Sequence, residues 1–272
     1  MAYSSPVTRS RFTGAIVETA ADSTMTQKKI LKDRLALVTG ASRGIGRAVA
    51  LGLAEAGAHL ILVARTVGAL EELDDEIRRR GGKATLLQLD LGNGDKIDQL
   101  GPTIFQRWGK LDIFIGNAGV LGPLSPLHHV TVDAWSEVID INLSANWRLI
   151  RTLDPVLRRS DAGRVVFVTS GAASGKYAYW GPYAVSKAGL EALAKTYAHE
   201  VESSDLRVNL INPGPIRTTM RAKAFPGEDP QKLHTPEELV PLFLELASPS
   251  CDFTGRVINF ADWIKQHATS GA

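Results

Sequence analysis

LALVTGASRGIGRAVALGLAEAGAHLILVART, residues 35–66, decides the fold. It opens on an apolar run over 35–39, too short for a helix and closed by Thr39-Gly40, which reads as a buried strand. Gly40, Gly44 and Gly46 follow as G-x-x-x-G-x-G, then an alanine-rich helix and a second apolar strand over 59–63. Gly40 permits the tight turn, Gly44 lets backbone approach a pyrophosphate, and Gly46 lets the helix pack close to the sheet. The helix N-terminus offers unpaired N–H groups and a positive dipole end to a phosphate. Set between a strand and a helix, with a second strand behind, these glycines indicate dinucleotide binding. No G-x-x-x-x-G-K-[ST] occurs, which argues against an ATP-type phosphate loop.

Outward from this unit, strands alternate with helical stretches. Candidate strands lie at 35–39, 59–63, 84–88, 111–115, 164–169, 206–211 and 256–260. Several are continuous apolar runs, as expected for parallel strands buried on both faces. The pattern predicts an α/β fold of the Rossmann type: a doubly wound, seven-stranded parallel sheet with helices on both faces, one domain over 25–272. Long helices are expected near 131–157 and 183–204. Arg78-Arg79-Arg80 closes the third helix before Gly81-Gly82, where basic side chains suit the C-terminal dipole.

The end of the second strand bears on the choice of dinucleotide. A carboxylate about 20 residues past the glycines would bind the ribose hydroxyls and repel a 2′-phosphate. Here the stretch reads Val63-Ala64-Arg65-Thr66, without an acid. Arg65, with Arg43 of the glycine loop, can clamp a 2′-phosphate through charge-assisted hydrogen bonds, which favours NADP(H) over NAD(H). The alternative is two surface arginines.

Chemistry is suggested by Ser170, Tyr183 and Lys187. Tyr183 and Lys187 stand four apart in YAVSKAGLEALAKTYAHE, a segment with helical apolar spacing, so they share one helix face. A free phenol has a pKa of about 10, and a neighbouring ammonium favours the phenolate. Tyr183 could then act as acid or base near neutral pH. Taken alone, so short a pattern fits a solvated helix face equally well.

With these features in order, the chain resembles the short-chain dehydrogenase/reductase family, in its single-domain branch, from about Lys32 to Phe260. The signatures are TGASRGIG (39–46), Asp90-Leu91, GNAG (116–119), Asn142 in DINL, Ser170, YAVSK (183–187) and NPGPIRT (212–218). The resemblance implies a catalytic set of Asn142, Ser170, Tyr183 and Lys187. Tyr183 would be the general acid in reduction or base in oxidation. Lys187 would lower the Tyr183 pKa and hold the nicotinamide ribose, Ser170 would donate to the substrate oxygen, and Asn142 would hold a water linking Lys187 to solvent. It implies cofactor contacts from Gly40, Ser42, Arg43, Gly44, Ile45, Gly46 and Arg65. Asp90 and Leu91 would touch the adenine, Asn117, Ala118 and Gly119 would line the cofactor floor, Thr218, after the Pro213-Gly214 turn, would hold the nicotinamide carboxamide, and Pro213, Gly214 and Ile216 are implied as cofactor contacts. Two departures stand out: Gly116 takes a place often held by asparagine, and GRVINFADW lacks the usual acidic, glycine-rich close, on which the family's tetramer contacts depend. GVLGPLSPL (119–127), a short lid near 219–235 and TPEELVPLFLEL (235–246) are similar to the YciK-like bacterial oxidoreductases.

The net charge of +2 and the lack of a basic stripe with interleaved aromatics give no reason to expect a nucleic-acid partner. No run of 18 uncharged apolar residues exists, so no membrane span is expected. The single cysteine, Cys251, excludes an intramolecular disulfide and fits a reducing cytoplasm. Residues 1–24 are Ser/Thr-rich and lack the apolar core of a secretory signal, so a disordered or non-native extension is expected, with Met25 as the possible true start. Arg9 and Arg11 suggest a transit peptide only against the acids Glu18 and Asp22. His128-His129 follow Pro126 without a supporting Cys or acid cluster, and no metal site is expected.

The expected activity is NADP(H)-dependent interconversion of a carbonyl and an alcohol, the partner being a small-molecule ketone, aldehyde or alcohol. Leu121, Tyr179, Trp180 and Met220 are expected to wall an apolar substrate pocket. The rival reading is a catalytically silent NADP(H)-binding protein with a redox-sensing or regulatory role. A homodimer or homotetramer is implied by the resemblance alone.

Overall fold

The computed structural model describes residues 29–268. The expected extension over 1–24 lies outside them. Seven strands form one parallel sheet: β1 (Leu35–Thr39), β2 (His59–Ala64), β3 (Lys83–Gln88), β4 (Ile113–Gly116), β5 (Arg164–Val168), β6 (Arg207–Asn212) and β7 (Val257–Asn259). Their order is β3-β2-β1-β4-β5-β6-β7. The chain therefore starts in the middle of the sheet and winds first one way, then the other. The reversal between β1 and β4 opens a crevice at the carboxyl ends of the strands, where ligands bind in such sheets.

The helices in chain order are α1 (Gly44–Glu55), α2 (Val67–Arg79), α3 (Gly94–Asp98), α4 (Leu100–Trp108), α5 (Val132–Ile139), α6 (Ala145–Leu157), α7 (Gly181–Glu200), α8 (Thr219–Ala224), α9 (Val240–Ala247) and α10 (Phe260–Ala268). Alternation along β1 serves two cores at once, since successive side chains leave opposite faces. Ala36 and Val38 pack with Val49 and Leu53 of α1, Leu73 of α2 and Phe243 of α9. Leu35 and Leu37 pack with Ile104 of α4, Leu149 and Leu153 of α6, and Leu190 of α7. A sheet clothed on both faces needs apolar strands throughout, and β1, β4 and β5 are buried at every position.

Several expectations require correction. The helix closed by the arginines at 78–80 is the second of the described chain, not the third. The helix expected over 131–157 is broken by a π-helical turn, Asp140–Ser144, between α5 and α6. The last strand ends at Asn259, and Phe260 starts α10, which sequence periodicity did not suggest. Phe260 is fully buried against the first core, so the chain turns back onto the sheet instead of extending past it.

Candidate active site

The glycine loop joins β1 to α1 at the crevice. Gly40 has φ +63°, which disfavours side chains, and a Cβ there would lie 2.9 Å from Ala118 Cα. A Cβ on Gly46 would lie 2.3 Å from the Gly40 carbonyl oxygen and 2.5 Å from Asn117 Nδ2, so only glycine lets α1 approach this closely. The N-cap residue is Arg43, whose side chain makes no capping bond, and the first turn carries no acid. The leading N–H groups of α1 therefore lack a side-chain cap, which suits an anionic ligand.

Thr39 ties this loop to the next. Its buried Oγ1 donates to the Ile115 carbonyl at 3.2 Å and accepts from the N–H groups of Asn117 and Ala118 at 3.1 and 3.2 Å. Asn117 Nδ2 donates to the carbonyls of Thr39 and Gly40 at 2.9 and 3.2 Å. The segment from Asn117 to Gly119 is thus laced to the turn after β1. Thr39 was legible only as the start of the turn; its buried hydroxyl between two strand ends was the missed signal.

Arg43 and Arg65 are both exposed, near the ends of β1 and β2, and neither has an ion-pair partner among the described residues. Asp90 is exposed and accepts from Gly92 N at 3.0 Å, while Leu91 is buried. Ser42, Gly44 and Ile45 are half-buried on the loop and the first turn of α1.

The chemical groups converge from β5, α7 and the π-turn. Tyr183 and Lys187 lie on the first turns of α7 and are buried, at 8% and 3% exposure. Lys187 Nζ donates to the Val168 carbonyl at 2.8 Å and stands 5.8 Å from the centre of the Tyr183 ring. Burial lowers its pKa to about 8. Burial also raises the Tyr183 pKa above its ordinary value, opposed by the neighbouring Ser170 hydroxyl. Burial sets the direction at this phenol, opposite to the lowering expected from Lys187, whose ammonium is turned onto a backbone carbonyl. Ser170 follows β5 and accepts from Ala172 N at 3.2 Å, capping a short 3₁₀ turn, Gly171–Ser174.

Asn142 sits within the π-turn, a distortion often found at functional positions. Its Nδ2 donates to the Val120 carbonyl at 2.9 Å and to Ser186 Oγ at 3.0 Å, and its Oδ1 accepts from Val120 N at 2.8 Å. Its carbonyl accepts from Asn146 Nδ2 at 2.9 Å. The side chain fixes the backbone just past Gly119. A Cβ on Gly119 would lie 3.1 Å from Asn142 Oδ1 and 3.6 Å from Lys187 Nζ, so the three are neighbours.

Beyond Pro213 and Gly214, Ile216 is buried and bridges His234. Thr218 Oγ1 accepts from Arg221 N at 3.1 Å, capping α8, and its methyl would meet a Cβ on Gly44 at 3.4 Å. A cavity of about 610 Å³ lies here, lined by residues that include Gly44, Arg47, Arg217, Thr218, Arg221 and Phe225.

Of the expected pocket residues, Leu121, Trp180 and Met220 cluster with Tyr183, Ala172, Ala184 and Ala224. Tyr179 does not join them. It has φ +71°, is 60% exposed, and its carbonyl accepts from Ser125 N at 3.0 Å, so the turn points its ring outward. Phe225 was missed: its ring lies 5.6 Å from that of Trp180, which in turn is 5.8 Å from Tyr183. A lone aromatic in the polar run Arg221–Asp229 was the available signal.

A βαβ glycine turn, a buried Tyr-Lys pair and a half-buried serine against the phenol define a dinucleotide-linked oxidoreductase framework, and the chain belongs to the short-chain dehydrogenase family. The short chain dehydrogenase family model matches residues 34–229. Over 223 residues the chain is 40% identical to the oxidoreductase YciK of Escherichia coli, covering 81% of this chain and 88% of that protein. A short-chain dehydrogenase from Shigella flexneri, solved in complex with NADP, superposes with a TM-score of 0.82 at 40% identity, covering 86% of this chain and 99% of that one. One from Escherichia coli, solved with NADPH, gives 0.82 at 39% identity, with 86% and 98% covered.

Proposed function

We propose that this chain is an NADP(H)-dependent reductase that interconverts a ketone or aldehyde with an alcohol. The observation that carries the reading is the burial of Tyr183 and Lys187 together on α7, with Ser170 against the phenol and Lys187 near Gly119, next to the Asn117 and Ala118 segment laced to the glycine loop. The residues fit the cofactor. Gly40 and Gly46 hold the turn close against Asn117 and Ala118, the N–H groups leading α1, which has no side-chain cap, would take the pyrophosphate, and Arg43 and Arg65 are free to take a 2′-phosphate. The NADP and NADPH complexes of the two solved relatives support the same choice.

NADP(H), when bound, supplies or accepts the hydride. In reduction, Tyr183 gives its phenol proton to the substrate oxygen, and a phenol of raised pKa is held ready as the acid. Ser170 donates a hydrogen bond to the same oxygen, stabilising the charge that develops there. Lys187 brings a positive charge behind the phenol and to the ribose side of the cleft. Asn117 to Gly119 form the floor and Thr218 the side, with Asn142 holding the floor in place through Val120.

We further propose a cytoplasmic enzyme, on its single buried thiol, Cys251. We propose too that it works as a homodimer or homotetramer, supported by Val132, Trp135, Trp147 and Val185 exposed along α5, α6 and α7. Equilibrium sedimentation tests the last point: a monomer at micromolar concentration overturns it.

The activity is tested by NADPH consumption against a panel of diverse carbonyls, with Tyr183→Phe as control. Turnover that vanishes in the variant is expected. No turnover on any carbonyl, with NADPH bound tightly, overturns the reading in favour of a silent binding protein.

A further inference from the structure

Resting on the reductase reading, we propose that Trp180 and Phe225 form an aromatic wall selecting substrates with a flat ring conjugated to the carbonyl. Arg221 and Glu228 are the positioning residues that hold Phe225 against Trp180.

The wall begins at the acid. The Trp180 ring meets Tyr183 edge-on, with centres 5.8 Å apart and planes at 69°, and meets Phe225 at 5.6 Å and 37°. Tyr183, Trp180 and Phe225 thus make one continuous strip leading from the phenol. Leu121, Ala172, Ala184, Met220 and Ala224 pack around its near end and give it an apolar flank. Phe225 also lines the cavity shared by Gly44 and Thr218, which joins the strip to the cofactor side of the cleft.

Phe225 comes from the lid, and its place is fixed locally. The Arg221 guanidinium lies 3.7 Å from the centre of the Phe225 ring, covering one face. Its Nε and Nη2 donate to the two carboxylate oxygens of Glu228, both at 2.6 Å, so its plane cannot turn freely. The backbone of Arg221 is anchored by Thr218, whose methyl lies 3.4 Å from where a Cβ on Gly44 would stand. The wall is therefore registered against the cofactor side of the cleft before a substrate arrives.

Aromatic pairs in offset or edge-to-face contact add stability beyond the area they bury, whereas a saturated ring of equal size gains only the area. The test compares 1-tetralone with trans-1-decalone, which share a carbon skeleton and differ in one aromatic ring. The wild-type enzyme is expected to favour 1-tetralone by about tenfold in kcat/KM. Trp180→Leu and Phe225→Leu should collapse the ratio towards one, and Trp180→Phe should retain it. Glu228→Gln, which frees Arg221, should lower the ratio through KM while kcat for trans-1-decalone changes little. Equal use of the two ketones by the wild type, or an unchanged ratio in both leucine variants, overturns the proposal.

If neither ketone is turned over while NADPH binds, the reductase reading is what fails. The wall is then judged by calorimetric titration of both ketones into the NADP-loaded protein. Tighter binding of 1-tetralone supports it, and equal binding overturns it.

Discussion

Asn142 grips the backbone of Val120 from both sides, donating to its carbonyl at 2.9 Å and accepting from its N–H at 2.8 Å. The π-turn between α5 and α6 puts the amide in reach, and Val120 directly follows the cofactor floor. Asn142→Ala strands both backbone groups, while Ser186 Oγ keeps its bond to the Tyr183 carbonyl at 2.8 Å. At about 1–3 kcal/mol for each buried group left unpaired, a loss of roughly 2 kcal/mol or more is expected in urea unfolding. NADPH affinity should fall with it, and unchanged affinity would show that Asn142 does not hold the floor.

Gly46→Ala forces a methyl to within 2.3 Å of the Gly40 carbonyl and 2.5 Å of Asn117 Nδ2. Backbone must shift to admit it, at a cost of about 1–3 kcal/mol. NADPH binding, followed by fluorescence, is expected to be lost. Gly68→Ala in α2 is the control, since its Cβ enters open space and should bind as wild type.

Arg43→Ala combined with Arg65→Ala should weaken NADPH while sparing NADH. Hydrogen bonds to charged groups are worth about 1.5–3 kcal/mol, so a loss of about tenfold to a hundredfold is expected for NADPH alone. Equal weakening of both cofactors would show that the two arginines do not meet the 2′-phosphate.

Lys187 should destabilise the fold in which it works. Its folded pKa of about 8 lies below the ordinary lysine value, so the unfolded chain binds the extra proton between those limits. Burying the ammonium therefore penalises the fold below pH 8, and the penalty fades as pH rises towards 10.5. Lys187→Met is expected to be inactive yet more resistant to urea at pH 7, by up to roughly 3 kcal/mol at about 1.4 kcal/mol per pKa unit. The gap should narrow between pH 8 and pH 10. A gap that stays constant with pH would show that the ammonium is not penalised.

Tyr183 is raised by burial, so its phenol stays protonated through neutral pH. Reduction, which needs the acid, should be level from pH 6 to 8, whereas oxidation of an alcohol, which needs the phenolate, should climb with pH across that range. Tyr183→Phe should lower both by about a hundredfold or more. Oxidation that is already level at pH 7 would mean that cofactor binding reverses the effect of burial.

The sequence by itself determined the parallel sheet, the glycine turn and the pairing of Tyr183 with Lys187, because each is written in local spacing. Apolar runs report burial on both faces, glycines report a close approach, and residues four apart share a helix face. Tertiary structure alone decided what those elements meet. Tyr179 and Trp180 are neighbours in sequence, yet a positive φ turns Tyr179 outward while Trp180 faces Phe225 on the lid. The same packing breaks the expected long helix at Asn142, folds α10 back onto the sheet and reverses the expected shift at Tyr183. Periodicity shows that a residue has a buried side but not which distant element covers it. The cover sets both the walls of the pocket and the desolvation of the groups within it.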